Sequence, residues 1–190
     1  MGMLESLEKR RSHYELKKEL PVSKEKVIET VTRVTELVPD SFNSRSARVI
    51  ILFDEKHDDF WNRVIDLFGG KITEKKEKSF RQAAGTILYF YDEDVTRGLQ
   101  EFKPRYHDNF PKWSREANAM LQFSVWCALQ DLDIGCTLQH YNPVIDDMVK
   151  ELYDVPDSWL MIGQMPFGGI AEPAAPKEGE DITKRVRVIM

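Results

Sequence analysis

Cysteine is scarce in this chain: Cys127 and Cys136 are the only two among 190 residues. Two cysteines cannot build a disulfide framework, and the gap from 127 to 136 is too long for a usual metal-binding pair. The four histidines, His13, His57, His107 and His140, show no HxxxH spacing, so no metal centre is expected. Long hydrophobic runs are missing too. "VIILF", "ILYFY" and "WLMIG" are the longest and fall far short of a membrane span. No N-terminal apolar stretch resembles a signal peptide, and the expectation is a soluble cytoplasmic protein with no membrane partner. Positive charge is not in surplus either. The net charge is -5 with lysines and arginines scattered, which argues against a nucleic-acid partner. Of the nucleotide and nucleophile signatures, GxGxxG, GxxxxGK[ST] and GxSxG are all absent.

What is present reads as one globular domain over 1–190, 42% hydrophobic and 31% charged. Residues 3–11 suggest a short helix. Ser23 suits the N-cap of a second helix whose apolar face is Val27, Val31, Val34 and Val38, supported by Ile28, and which Pro39 ends. "ARVIILF" (47–53), "GTILYFYD" (85–92) and "SWLMIGQMPFG" (158–168) read as buried strands. "FWNRVIDLF" (60–68) is helical and stops at Gly69 and Gly70. One or two short helices and a loop are expected over 92–113. "SREANAMLQFSVWCALQDLD" (114–133) is apolar on nearly every side, so it needs a core or a partner subunit around it. Residues 143–154 form a shorter amphipathic helix with Pro143 in its first turn. Cys136 falls in the turn after the long helix.

Three polar stretches stand out. "RRS" at Arg10, Arg11 and Ser12 closes the first helix. Cations there complement the macrodipole by about 0.3–1 kcal/mol each, or they form an anion clamp of two guanidinium forks and a hydroxyl. "PDSFNS" (39–44) is either a plain turn or a ligand loop placed before a buried strand. "LQHYNPVID" (138–146) crowds polar residues after the long helix; His140 could be a ligand or a general base, or the loop could serve through its backbone. Residues 171–181 carry Pro173 and Pro176 and nothing apolar enough to anchor them. "KRVRVIM" (184–190) then regains strand-like alternation, which favours docking on its own sheet or a neighbour's over a frayed end.

"RRS", "P-x-S-x-N" after the second helix, the buried central helix and a proline-rich tail carrying Lys177 together resemble the FMN-dependent nitroreductase family. "FNS" (42–44), "GTILYF" (85–90), "NFPKWS" (109–114) and "LQHYNPVID" are most similar to a subgroup of fungal fatty-acid-regulation proteins and bacterial copper-stress nitroreductases, which carries a stress-response association. The resemblance implies an α+β fold with three α-β-α layers and an antiparallel-dominated sheet. It implies an intertwined homodimer, with residues 171–190 embracing the partner and an exchanged C-terminal strand.

FMN would lie at the dimer interface. Arg10, Arg11 and Ser12 would hold its phosphate and ribityl end. Ser41 and Asn43 would reach it from the other subunit. The backbone of Leu138, Gln139, His140 and Tyr141 would run along the ring edge near N5, with their polar side chains satisfying the loop or shaping the pocket. The sequence departs from the family pattern in having Tyr14 where a basic residue is usual and Arg45 in place of a glutamine. A usual basic pair in the tail is reduced to Lys177, with Arg185 as a substitute. The expected activity is reduction of nitroaromatics or quinones by NAD(P)H in ping-pong order, with no catalytic side chain. The alternatives are a flavin-binding redox sensor with incidental reductase activity and a cofactor-free interaction protein.

Overall fold

The computed structural model describes residues 2–190. In chain order the elements are α1 (Met3–Lys9), β1 (Leu16–Lys17), α2 (Lys24–Leu37), β2 (Ala47–Phe53), α3 (Asp54–Phe68), α4 (Glu74–Gln82) and β3 (Gly85–Asp92). They continue with α5 (Glu93–Phe102), α6 (Phe110–Asp131), β4 (Ile134–Cys136), α7 (Asp146–Tyr153) and β5 (Trp159–Ile170). Single 3-10 turns occupy Ser41–Asn43, Pro104–Tyr106 and Ile182–Lys184. Among the described residues no helix is long and apolar enough to cross a membrane.

The sheet runs β1-β5-β3-β2, with β4 also pairing with β5, and every ladder is antiparallel. Because strand side chains alternate, β3 feeds two cores. Leu88 and Phe90 pack with Phe60, Trp61, Val64, Phe80, Ile145 and Val149 beneath α3, α4 and α7. Ile87 and Tyr89 face the opposite way and pack with Val27, Val31, Leu121, Val125, Leu129 and Phe167 beneath α2 and α6. Both faces of the sheet are therefore covered, which gives the three-layer α+β architecture that the sequence suggests. It also explains the unbroken apolar run of "ILYFY", since each such side chain contributes about 1.5–3 kcal/mol by leaving water.

Several local readings hold. Ser23 caps α2 by accepting from the Lys26 N–H at 3.2 Å, and Gly69 ends α3 in the left-handed region at φ 52°. Others change. α3 begins at Asp54 rather than at residue 60, because Asp54 and Glu55 favour a helix start while only His57 of its first turns is buried. α4 has only Ser79 and Phe80 buried, so it offers no periodicity to read. Cys136 belongs to a strand, not to a turn. Pro143 lies in the turn ahead of α7, not within it, and Ile28 is exposed.

Two findings bear on function, each removing the within-chain half of an alternative that the sequence leaves open. α6 is not enclosed on all sides within the chain: Met120 is 46% and Phe123 41% exposed. Residues 184–190 form no strand on the chain's own sheet; Val186, Val188 and Ile189 are 57%, 71% and 82% exposed beyond the turn at Ile182–Lys184. Alternating apolar residues make a strand only where an edge receives them, and no edge of this chain does so.

Candidate functional site

α1 ends at Lys9, so Arg10 is its cap and Arg11 and Ser12 lie outside it in the following segment. They are not the last-turn cations that the sequence suggests. Ser12 bridges to Cys136 in parallel, and the His13 N–H donates to the Cys136 carbonyl at 3.0 Å. The other side of the segment rests on α6. Trp126 Nε1 donates to the Arg11 carbonyl at 3.2 Å, and Gln130 Oε1 accepts from the Arg11 N–H at 3.4 Å. The same Gln130 oxygen lies 2.9 Å from His13 Nε2. The Arg10 guanidinium is 4.4 Å from the centre of the Trp126 ring. Burial holds the His13 imidazole below its ordinary value, the nearby guanidiniums of Arg11 and Arg10 add to this, and the Gln130 bond only partly offsets them.

Arg33, Arg48, Arg63, Arg97 and Arg185 each pair with a carboxylate. Half-buried Arg10 and Arg11 form no such pair among the described residues. Lys177 Nζ reaches the Leu7 carbonyl at the end of α1. Lys177 and Arg10 also both act on the Cys127 thiol, so the two cations share one neighbourhood. Burial is the larger influence on that thiol and raises its pKa. This donor set suits a phosphate. Arg185 is engaged by Glu180 in the exposed tail, and Tyr14 is exposed.

From β4 the chain runs directly into the 138–141 loop. Gln139 and Gln164 exchange backbone hydrogen bonds of 2.7 and 2.9 Å, which makes the loop a one-residue extension of the sheet. In such a pair the polar groups of the flanking residues point the other way. The N–H groups of Leu138 and His140 are thus directed away from β5. A Cβ at Gly163 would stand 3.3 Å from the Gln139 carbonyl and 3.5 Å from the His140 ring, so glycine lets this surface lie flat.

The polar side chains mainly fasten the loop. Gln164 Oε1 accepts from the Tyr141 N–H at 2.9 Å, and Gln139 Nε2 donates to Thr137 Oγ1 at 2.9 Å. The Tyr141 ring leaves the site and packs edge-on against Trp61, Phe68 and Phe80, where burial pushes its hydroxyl up to about 12. Leu138 is half-buried and His140 is exposed.

Ser41 and Asn43 sit elsewhere. Their loop holds Phe42, Asn43 and Arg45 in the left-handed region at φ 59°, 52° and 53°, a conformation that a bulky Phe42 adopts only under constraint. Asp40 supplies that constraint by accepting from the Ser44 hydroxyl at 3.0 Å and from the Arg45 N–H. Arg45 Nε in turn donates to Asn43 Oδ1 at 3.4 Å. Phe42 packs on Phe110 and Trp113, with ring centres 5.4 and 6.0 Å apart, at the N-terminal end of α6.

The expected site residues therefore fall into two groups. Arg10, Arg11, Ser12, Lys177 and the 138–141 loop gather around Trp126 and β4. Ser41 and Asn43 stand by Trp113, about 20 Å away at the helical rise of 1.5 Å per residue. Trp126, Gln130, Asp40 and Arg45 as organisers of the site were not foreseen; two of them lie in a helix whose apolar pattern reads as plain core. Among the described residues no cluster of His, Cys, Asp or Glu is placed to hold a metal ion.

The three-layer α+β fold is accompanied by a match over most of the chain: it belongs to the Nitroreductase family, whose family model matches residues 7–169. That membership makes it an oxidoreductase. It is 32% identical over 177 residues to HBN1 of Saccharomyces cerevisiae, covering 92% of this chain and 91% of that one. With the nitroreductase FRM2 of the same yeast it is 31% identical over 188 residues, covering 97% and 95%. The nitroreductase CinD from Lactococcus lactis in complex with nicotinic acid superposes with a TM-score of 0.94 at 38% identity, covering 100% of both chains. CinD in complex with 4-nitrophenol gives 0.93 with the same identity and coverage.

Proposed function

We propose that the protein is an FMN-dependent oxidoreductase that reduces nitroaromatics or quinones with NAD(P)H, and that it works as a homodimer with each cofactor site built from both subunits. The observation that carries this reading is the split of the expected site between the two ends of α6. Antiparallel pairing of two α6 helices about a two-fold axis would set the Trp126 end of one against the Trp113 end of the other. The midpoint between those residues is the exposed stripe of Ala119, Met120 and Phe123, which such a pairing would cover. The partner subunit's Ser41 and Asn43 would then face Arg10, Arg11, Ser12 and the 138–141 loop.

The tail fits the same assembly. β2 is an edge strand of the sheet, and beside it runs a cleft of about 590 Å³ whose lining includes Val31, Val49, Ile51, Ala117 and Leu121. A strand from the partner's 184–190 segment would satisfy that edge and bury its valines and isoleucine in the cleft.

Within the site, the two arginines and Ser12 bind the phosphate end by charge-assisted bonds, and Lys177 adds a further cation. The outward N–H groups of Leu138 and His140 supply donors for the ring edge, orienting it and tuning its electronics. The hydride chemistry, taken from NAD(P)H and passed in ping-pong order to the acceptor, is that of bound FMN, so the chain needs no nucleophile of its own. The CinD complexes with nicotinic acid and 4-nitrophenol, a pyridine ring and a nitroaromatic, support the same two substrate classes here.

Steady-state reduction of a nitroarene by NAD(P)H tests the reading, with turnover of about 1 per second or faster expected. Bleaching of the flavin without turnover would point instead to a redox sensor. A colourless preparation that takes up no FMN would overturn both.

A further inference from the structure

We infer that Trp126 and Gln130, one turn apart on α6, are positioning residues that hold the Arg10–Arg11–Ser12 segment in its anion-binding form. This rests on the FMN reading above and extends it to residues that would not themselves touch the cofactor.

The segment has no helix to support it, because α1 stops at Lys9. Its contacts with β4 fix Ser12 and His13 but leave the Arg11 peptide to α6. Both polar groups of Arg11 are taken there: the carbonyl by Trp126 Nε1 at 3.2 Å and the N–H by Gln130 Oε1 at 3.4 Å. The Arg11 backbone is therefore not available to a ligand, and only its side chain is.

The indole does a second thing. A guanidinium lying 4.4 Å over the Trp126 ring is held by its face, which leaves the N–H donors around its edge free for an anion. Gln130 likewise serves twice, because its Oε1 also takes the His13 Nε2 proton at 2.9 Å. Buried His13 Nδ1 has no hydrogen-bond partner among the described residues, so the ring is held through Nε2 alone. Trp126 and Gln130 thus set both the path of the backbone and the plane of one fork. Val125 and Leu129 are the fully buried apolar positions of that turn, whereas Trp126 only borders the same core and Gln130 is buried as a polar group.

The test compares FMN with riboflavin, which has the same ring and no phosphate. Binding of each to the full-length apoprotein is followed by flavin fluorescence for the parent, Trp126→Phe and Gln130→Met. Trp126→Phe keeps an aromatic face and removes the N–H donor with part of the ring area, and at this half-buried position it is the milder change, which stays informative if the second variant is destabilised. Each variant is expected to weaken FMN about tenfold and to leave riboflavin affinity within about twofold of the parent. Equal weakening of both flavins would show a general structural role and overturn the inference, as would unchanged FMN affinity in both variants. A parent protein that binds neither flavin would instead overturn the FMN reading itself.

Discussion

Gln139 and Gln164 face each other as a reciprocal backbone pair, N to O at 2.7 and 2.9 Å, and the Gln164 side chain then continues the attachment to Tyr141. The 138–141 loop is in this way part of the sheet rather than an appendage to it. Gln164 is fully buried, so replacing it with leucine strands the Tyr141 N–H. The expected loss is about 1–3 kcal/mol, read as a lower urea midpoint of the apoprotein. An unchanged midpoint would mean that the loop is held by other contacts.

Arg10→Ala and Arg11→Ala should each weaken FMN binding. A charge-assisted bond contributes roughly 1.5–3 kcal/mol, hence about tenfold or more in affinity. Tyr14→Phe should have much less effect, since it removes no charge. If both arginine variants keep FMN through dialysis as the parent does, the phosphate lies elsewhere.

Phe123→Glu places a charge in the middle of the exposed stripe on α6. Sedimentation should then show a folded monomer that has lost its flavin, because each site would be missing half of its residues. Deleting 171–190 should also release both dimer and flavin. A truncated protein that still sediments as a yellow dimer would rule out the exchanged tail, whereas flavin loss from an intact dimer would mean that the tail covers its own subunit's site.

His57 gives the fold a dependence on pH. Its Nε2 donates to the Phe80 carbonyl at 2.9 Å and its Nδ1 accepts from Thr86 at 2.8 Å, while Thr86 accepts from Trp61 Nε1 at 2.8 Å. Every position in this chain is filled by the neutral ring, and burial lowers its pKa from 6.5 to about 4. The unfolded chain therefore takes up the proton first as the pH falls. The contribution is fully present above about pH 6.5 and declines until about pH 4, by on the order of 3 kcal/mol. Urea titrations across that window should show the decline in the parent. A His57→Gln variant should be less stable at pH 7 and flatter below it. An equally steep decline in the variant would assign the effect to another group.

Much of this architecture could be read along the chain. β3 announces itself by an apolar run that only a strand buried on both faces needs. Ser23 and Gly69 mark helix ends through local chemistry, and "RRS", "FNS" and "LQHYNP" stand out as polar stretches. Such signals are visible because each depends on residues within one turn or one strand of each other.

α4, β1 and β4 were not legible. Two are strands of two and three residues that exist only because β5 passes beside them, and α4 is a polar helix that buries only Ser79 and Phe80. "KRVRVIM" shows the converse, since its alternation promises a strand that no edge of its own chain accepts. The sequence by itself determined where polar residues cluster and how the core strands alternate, because those follow from side-chain identity and local spacing. Only the tertiary structure decided that Arg11 leans on Trp126 and Gln130, more than a hundred residues later, and that Ser41 and Asn43 stand at the far end of α6. Contacts between segments so distant in the chain are set by how helices and strands pack, and no local pattern encodes them.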